Sequence, residues 1–361
     1  MAPKLKVKKV KKPKITNPMT VTHVLHVDKD LQWSFDDKVK PETIFKKIQD
    51  IGEGGFGTVI KLLHVPSNTI LAGKSINPDL VNSKSKVILN KEIEMMRQIV
   101  SDYTIHYYGH IMFNKRMTIL MEFCQLGSFR DLIDCRGQVL TEQQVQLVMK
   151  DLLNGLLILH EKHKIVHRDI KAANILLGSN GICRVADFGV SRQFHDGTLS
   201  FSTQSVVGTP YWMAPEIING EKYSFPADVW SIASTAVELA EGAPPYCEFP
   251  STRAMVQIAT SGFPGFRFPA RFSDLFNNFI ISCTGMDPNG RPTVRDLLTH
   301  PFVQEAEKLN RSEVFAPLLK TQVDFKKLLQ ANDEEPPDGD EFQKATMVNI
   351  RTARKTLRGS D

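Results

Sequence analysis

At 361 residues the chain is long enough for roughly two domains, each with a core of its own. Its 42% hydrophobic and 24% charged residues exclude a disordered or fibrous protein, and no apolar run approaches the ~18 residues of a membrane span, the best candidate (152–159) being broken by Asn154 and Gly155. Five scattered cysteines form neither a disulfide framework nor a zinc pattern, which points to a reducing compartment, and the net charge of +5 is local: residues 1–14 hold seven lysines and no acid, leaving the remainder at −2.

In chain order, residues 1–14 form a basic arm too polar to bury a core and without the apolar segment of a signal peptide. Three readings stay open for it: a solubilising tail, a contact with an anionic membrane, or a nuclear-localisation patch. Within residues 15–28 the run 21–27 (VTHVLHV) is β-prone and has no domain of its own to join, so it is suited to pairing with a partner's sheet edge. Residues 29–44 read as a linker. From Phe45 the pattern is strand-rich. Ile51, Gly52, Glu53, Gly54, Gly55, Phe56, Gly57, Thr58 and Val59 make a glycine-rich turn whose backbone can approach phosphates. A dinucleotide-binding glycine turn would open a helix, whereas residues 59–63 (VIKLL) continue as strand. Residues 71–76 (LAGKSI) are a strand carrying Lys74 beside Ala72, with Gly73 expected to weaken it modestly. A helix is predicted over 85–99, with Glu92 on it, and residues 117–123 (MTILMEF) read as a buried strand ending near Met121, Glu122 and Cys124. Thr141, with Gln144 three residues on, caps a long helix whose apolarity places it at the centre of a lobe.

That helix leads to His167-Arg168-Asp169-Ile170-Lys171-Ala172-Ala173-Asn174, where an Asp, a Lys and an Asn supply a base, a cation and a metal-binding amide. Further fragments follow in order: Asp187-Phe188-Gly189, Gly208-Thr209-Pro210-Tyr211-Trp212, Ala214-Pro215-Glu216, Asp228-Val229-Trp230 and Asp287-Pro288-Asn289-Gly290-Arg291-Pro292. Together they resemble the eukaryotic protein-kinase family over about residues 45–302. The wording of 167–177, 207–218 and 238–246 resembles its sterile-twenty (STE) group, to which the PAK kinases belong.

The resemblance implies an α+β, bilobal fold: a kinase domain over 45–303, with a small β-rich N-lobe (45–121) holding one key helix, a hinge (122–127) and a larger, mainly α-helical C-lobe (128–303). It implies ATP and Mg²⁺, and protein Ser/Thr as acceptor. Asp169 would orient the acceptor hydroxyl and take its proton, and Lys171 would sit on the γ-phosphate. Asn174 and Asp187 would hold Mg²⁺. Lys74 would hold the α- and β-phosphates, oriented by Glu92, with Glu94 the runner-up. The glycine turn (Ile51 to Val59) and Ala72 would line the ATP site, backbone groups of Glu122 and Cys124 would meet the adenine, and Met121 would guard the pocket behind it. Arg168 would receive a phosphate on Ser205, for which Ser202 and Thr203 are close competitors. Glu216–Arg291 would be a buried ion pair, and Asp228 would anchor the catalytic loop. These positions being intact, an active enzyme is expected rather than a dead fold.

Ile15, Pro18, His23, His26 and Val27 also resemble the GTPase-binding motif of PAK kinases, with Thr16 and Val21 conservative and Asp28 in place of its glycine. That implies a Rho/Rac-type small GTPase as partner, with the arm steering toward membrane, and no nucleic acid. A kinase without a GTPase and a GTPase-binding scaffold are the rivals. The short linker leaves little room for the inhibitory segment PAK kinases carry there. Residues 304–361 are a tail: helical to about 331 with Leu318, Leu319, Leu328 and Leu329 as a docking face, acidic over 333–341, then basic. A cytoplasmic protein, recruited to membrane, is the corresponding expectation, with the nucleus kept open.

Overall fold

The computed structural model of the chain describes residues 25–27, 33–35, 40–54, 57–76, 96–187 and 210–319. Ile15, Pro18, His23, Gly55, Phe56, Glu92 and Ser205 lie outside the described residues, as do Glu94, Ser202, Thr203, Thr209, the basic arm and the acidic run. The chain divides into two compact units, one made of residues up to Pro78 with Tyr108–Met121, the other of Asp79–Tyr107 and everything from Glu122 onward.

The first unit is β-rich. Leu25–Val27 (β1) pairs antiparallel with Trp33–Phe35 (β2), Leu25 opposite Phe35, His26 opposite Ser34 and Val27 opposite Trp33. This corrects the reading of 21–27 as a strand with nothing in its own chain to join. Part of the supposed linker completes a hairpin, because Trp33 and Phe35 are as β-prone as the residues they face. The linker also contains a helical turn, Pro41–Ile44 (α1), started by a proline in its first turn.

Phe45–Gly54 (β3), Gly57–His64 (β4), Thr69–Ile76 (β5), Tyr107–Phe113 (β6) and Arg116–Glu122 (β7) form one sheet of order β3-β4-β5-β7-β6. In β4 the inward positions alternate, burying Ile60, Leu62 and His64. Ile60 and Leu62 join Phe45, Leu71, Ile111, Phe113 and Leu120 in a core cluster. Asn114 and Lys115 connect β6 to β7 with positive φ at both positions (49° and 63°), the two-residue turn that matches strand twist. Gly73 has a packing reason for its place in β5. A Cβ there would stand 2.7 Å from Leu62 Cδ1 and 2.9 Å from Thr118 Cγ2, so the glycine lets the sheet's core close over it.

The second unit is mainly helical. Phe129–Arg136 (α2) and Glu142–Leu157 (α3) each open on a capping box, Ser128 with Asp131 and Thr141 with Gln144. One turn of π-helix, Ile158–Lys162, ends α3 and leads to the loop at His167. Ile175–Leu177 (β8) and Cys183–Val185 (β9) form a small antiparallel hairpin. Pro215–Ile218 (α4), Pro226–Glu241 (α5), Ser251–Ser261 (α6), Asp274–Cys283 (α7), Val294–Leu298 (α8) and Pro301–Gln304 (α9) are the α-helices that follow among the described residues up to 304. Nearly all of α5 is buried, with Trp230 fully enclosed. Residues 311–319 are helical, and Phe315 and Leu318 are fully buried. Leu318 thus docks the segment on its own lobe; Leu319 is half-buried, and Leu328 and Leu329 lie outside the described residues.

Candidate functional site

The loop 167–174 is held from outside itself. Asp228, in the first turn of α5 and inaccessible to solvent, accepts the backbone N–H of His167 (2.7 Å) and of Arg168 (2.8 Å), and the Nε2–H of His160 (2.8 Å). Burial pushes its carboxyl upward, but the bond and charge of His160, His167 nearby and the Arg168 amide outweigh it and hold the carboxyl below its ordinary range. Two amides on one carboxylate fold the backbone sharply, and Arg168 takes φ = 72°, a strained conformation for a side-chain-bearing residue. The Arg168 guanidinium lies 4.9 Å over the Tyr223 ring. His167 is buried and faces the carbonyl of Ala186 through Nε2 (3.0 Å), while Nδ1 accepts the Asp169 amide (3.2 Å). A carbonyl can only accept, so the imidazole carries its proton on Nε2.

The three polar side chains of the loop meet. Lys171 Nζ donates to Asp169 Oδ1 at 2.9 Å, and Asn174 Nδ2 donates to Asp169 Oδ2 at 2.8 Å and to its carbonyl at 2.7 Å. Asp169 thus stands between a cation and an amide. With the Asn174 nitrogen committed to Asp169, the oxygen at the other end of the amide is its donor to a cation. The β8–β9 register sets Ile175 opposite Val185, and Ala186 N–H donates to Asn174 O at 2.9 Å, so the hairpin brings Asn174 beside the chain that carries Asp187. Asp187 also has positive φ, 62°. Fully buried Tyr107 lies close to it; burial, then the Asp187 charge, raises the phenol well above its ordinary value, so it stays protonated. One carboxylate and one amide oxygen are hard donors that suit Mg²⁺, which takes few protein ligands beside substrate phosphates.

Other expected residues sit on neighbouring elements of the same unit. Glu122 N–H donates to His106 O (2.8 Å). The Glu122 carboxylate pairs with Arg184 at 3.2 Å. Cys124 is buried, and that burial, with Glu122 nearby, pushes its thiol up to about 12, so it is inert as a nucleophile. Glu216 and Arg291 form a buried bidentate pair at 2.8 and 2.9 Å. In the first unit, Lys74 and Ala72 are buried on β5, Lys74 opposite Val59 and Thr58 opposite Ser75 on β4. Met121 is buried in β7, and Ile51 and Gly52 lie exposed on β3 next to the glycine turn. Glu53 and Gly54 end β3.

Two participants escaped the reading of the sequence. Glu238, buried in α5, accepts Ala172 N–H (2.9 Å) and Trp212 Nε1–H (3.0 Å), with Arg130 Nη1 3.6 Å away. Burial raises its carboxyl despite these partners. His160 is the other, on the π-turn. The signal for both was polarity inside an apolar helical run, which periodicity marks as buried without saying what it binds.

Residues 45–303 match the protein kinase domain family. The chain is 40% identical over 293 residues to "Serine/threonine-protein kinase pakH" of Dictyostelium discoideum, covering 81% of this chain and 55% of that protein. It is 39% identical over 305 residues to "Serine/threonine-protein kinase pakG" of the same organism, covering 84% of this chain and 25% of that one. The chain therefore spans about half and a quarter of these two relatives. A family match over most of the chain, on a β-rich unit and a helical unit with the loop just described, has one meaning: the chain belongs to the protein kinase family.

Proposed function

We propose that the protein transfers the γ-phosphoryl group of ATP to serine and threonine hydroxyls of protein substrates. The observation that carries this is Asp169, its carboxylate between Lys171 Nζ (2.9 Å) and Asn174 Nδ2 (2.8 Å) on a loop that Asp228 pins. Asp169 orients the acceptor hydroxyl and takes its proton as the new O–P bond forms and the bond to the ADP oxygen breaks. Lys171 faces the charge that develops on the transferring group, and Lys74 holds the non-transferring phosphates. Asn174 and Asp187 would hold Mg²⁺, which supplies neutralisation of phosphate charge. The carbonyl of Glu122 and the backbone of Cys124 meet the adenine. Lys171, two residues after the catalytic Asp, favours Ser/Thr over Tyr. An Asp169→Asn variant tests the assignment. It should keep the wild-type melting temperature and lose phosphoryl transfer by roughly 10²–10⁴-fold; transfer at the wild-type rate would refute the role of Asp169.

Two layers of control belong to the same proposal. Arg168 receives a phosphate on Ser205, so Ser205→Ala should prevent activation during incubation with Mg²⁺ and ATP. Residues 15–28 bind a GTP-loaded Rho/Rac-type GTPase, with the lysine arm steering the kinase to anionic membrane from the cytoplasm. The β1–β2 hairpin supports this reading by supplying a short strand pair with an edge to extend. Pull-down should retain the protein on the GTP-loaded and not the GDP-loaded GTPase. Equal or absent retention would leave an STE-type kinase without that partner.

A further inference from the structure

The helix at 311–319 lies beyond the matched kinase domain, which ends at 303, yet it grips the β8–β9 hairpin, which Asn174 and Asp187 flank. Arg311 makes a bidentate pair with Asp151 of α3, Nη1–Oδ2 at 2.5 Å and Nη2–Oδ1 at 2.8 Å, and Nη1 also donates to Gly181 O at 2.9 Å. Asp151 is 1% exposed, and its Oδ2 accepts the N–H of Cys183 at 2.9 Å. Gly181 lies in the turn between β8 and β9, and Cys183 is the first residue of β9. One guanidinium therefore restrains both the turn and the returning strand. The same strand continues through Val185 and Ala186, whose amides bond Tyr103 O and Asn174 O, to Asp187. The helix itself is seated separately by buried Phe315, 6.4 Å between ring centroids from Phe129, and by Gln144 Nε2 donating to Val314 O at 3.0 Å. Seating the helix thus does not require Arg311, and a lysine could not make the two-pronged contact and reach Gly181 as well.

We infer that Arg311 is a positioning residue for phosphoryl transfer: through Asp151 and the β8–β9 turn it fixes the strand that sets Asp187 and Asn174 for Mg²⁺. The inference rests on the reading of those two residues as the Mg²⁺ holders. It makes the segment after the kinase domain part of the catalytic apparatus rather than a tail.

The experiment compares full-length wild type, Arg311→Met, Arg311→Lys, Asp151→Asn and, as a control, Lys150→Met, which breaks a neighbouring surface pair with Glu307. Amide hydrogen exchange is followed at Cys183 and Val185, with Mg²⁺ titrations of nucleotide binding and of peptide phosphorylation. Arg311→Met should speed exchange at those amides and raise the Mg²⁺ needed for half-saturation by about tenfold, as outer partners of metal ligands do. The KM for peptide should not change, Arg311→Lys should recover part of the effect, and Lys150→Met should match wild type. Asp151→Asn keeps an acceptor for Cys183 but loses the ion pair, so it should fall between wild type and Arg311→Met, and it serves if Arg311→Met does not fold. Wild-type exchange and Mg²⁺ dependence in both Arg311→Met and Asp151→Asn would overturn the inference. So would a lowered melting temperature with no selective change at Cys183 and Val185. A wild-type protein that takes up neither Mg²⁺ nor nucleotide would sink the metal assignment, and the exchange comparison would then still decide whether Arg311 holds the hairpin.

Discussion

Asp228 sits far along the chain from the loop it controls, and its burial makes its charge matter. Replacing it by Asn leaves an amide whose nitrogen faces donors, so Asp228→Asn should cost roughly 3 kcal/mol in urea unfolding at pH 7. Its carboxyl is held below that of an unfolded aspartate, so its contribution is complete above about pH 4 and is lost as pH falls through the lower folded value. The unfolding free energy of Asp228→Asn should therefore fall less steeply than that of wild type on acidification; parallel curves would count against this role. Glu238 has the opposite sign. Its raised carboxyl favours folding most below the unfolded value and loses that as pH rises through the folded one. Lys171 is a different kind of residue: its pair with Asp169 is partly exposed and worth little to stability. Lys171→Met should lower kcat by roughly 10²-fold with no change in melting temperature.

At the scale of elements, α3 and its capping box were legible because Thr141, Gln144 and a run of leucines carry local signals that tertiary contacts reinforce. The octet was legible for another reason: its polar residues meet through bonds only two to five residues apart. Gly73 and the β1–β2 hairpin were not. Propensity scores a glycine by entropy, whereas Gly73 is set by side chains of Leu62 and Thr118 that arrive from other strands. A three-residue strand gives too few alternations to be read against a linker. Gly155 belongs to the same class. A Cβ on it would lie 2.7 Å from Tyr103 O and 2.9 Å from Val185 Cγ2, so α3 passes the segment before β6 and the strand β9 at glycine distance. Gly155→Ala should destabilise by about 1–3 kcal/mol in thermal unfolding, despite the better helix propensity of alanine. A stabilised variant would show that the contact has slack.

For the molecule as a whole, the change from strand-rich to helical patterning near the end of β7 was legible in the sequence, whereas the bilobal division was what the resemblance implied, and the placing of residues 79–107 with the second unit had no local signal. The fate of 304–319 did not follow, because nothing local distinguishes a helix that packs on its own lobe from one offered to a partner. Buried Phe315 and Leu318 settle it. A chain ending at residue 303 should accordingly be less stable in thermal unfolding by roughly the 3–5 kcal/mol of an emptied aromatic site.

The most direct measurement is phosphoamino-acid analysis after incubation with γ-labelled ATP, Mg²⁺ and a peptide mixture offering serine, threonine and tyrosine. Label on serine and threonine, dependent on Mg²⁺ and abolished in Asp187→Asn, is the predicted result. Label on tyrosine alone, or transfer that persists at the wild-type rate in Asp187→Asn, would contradict it.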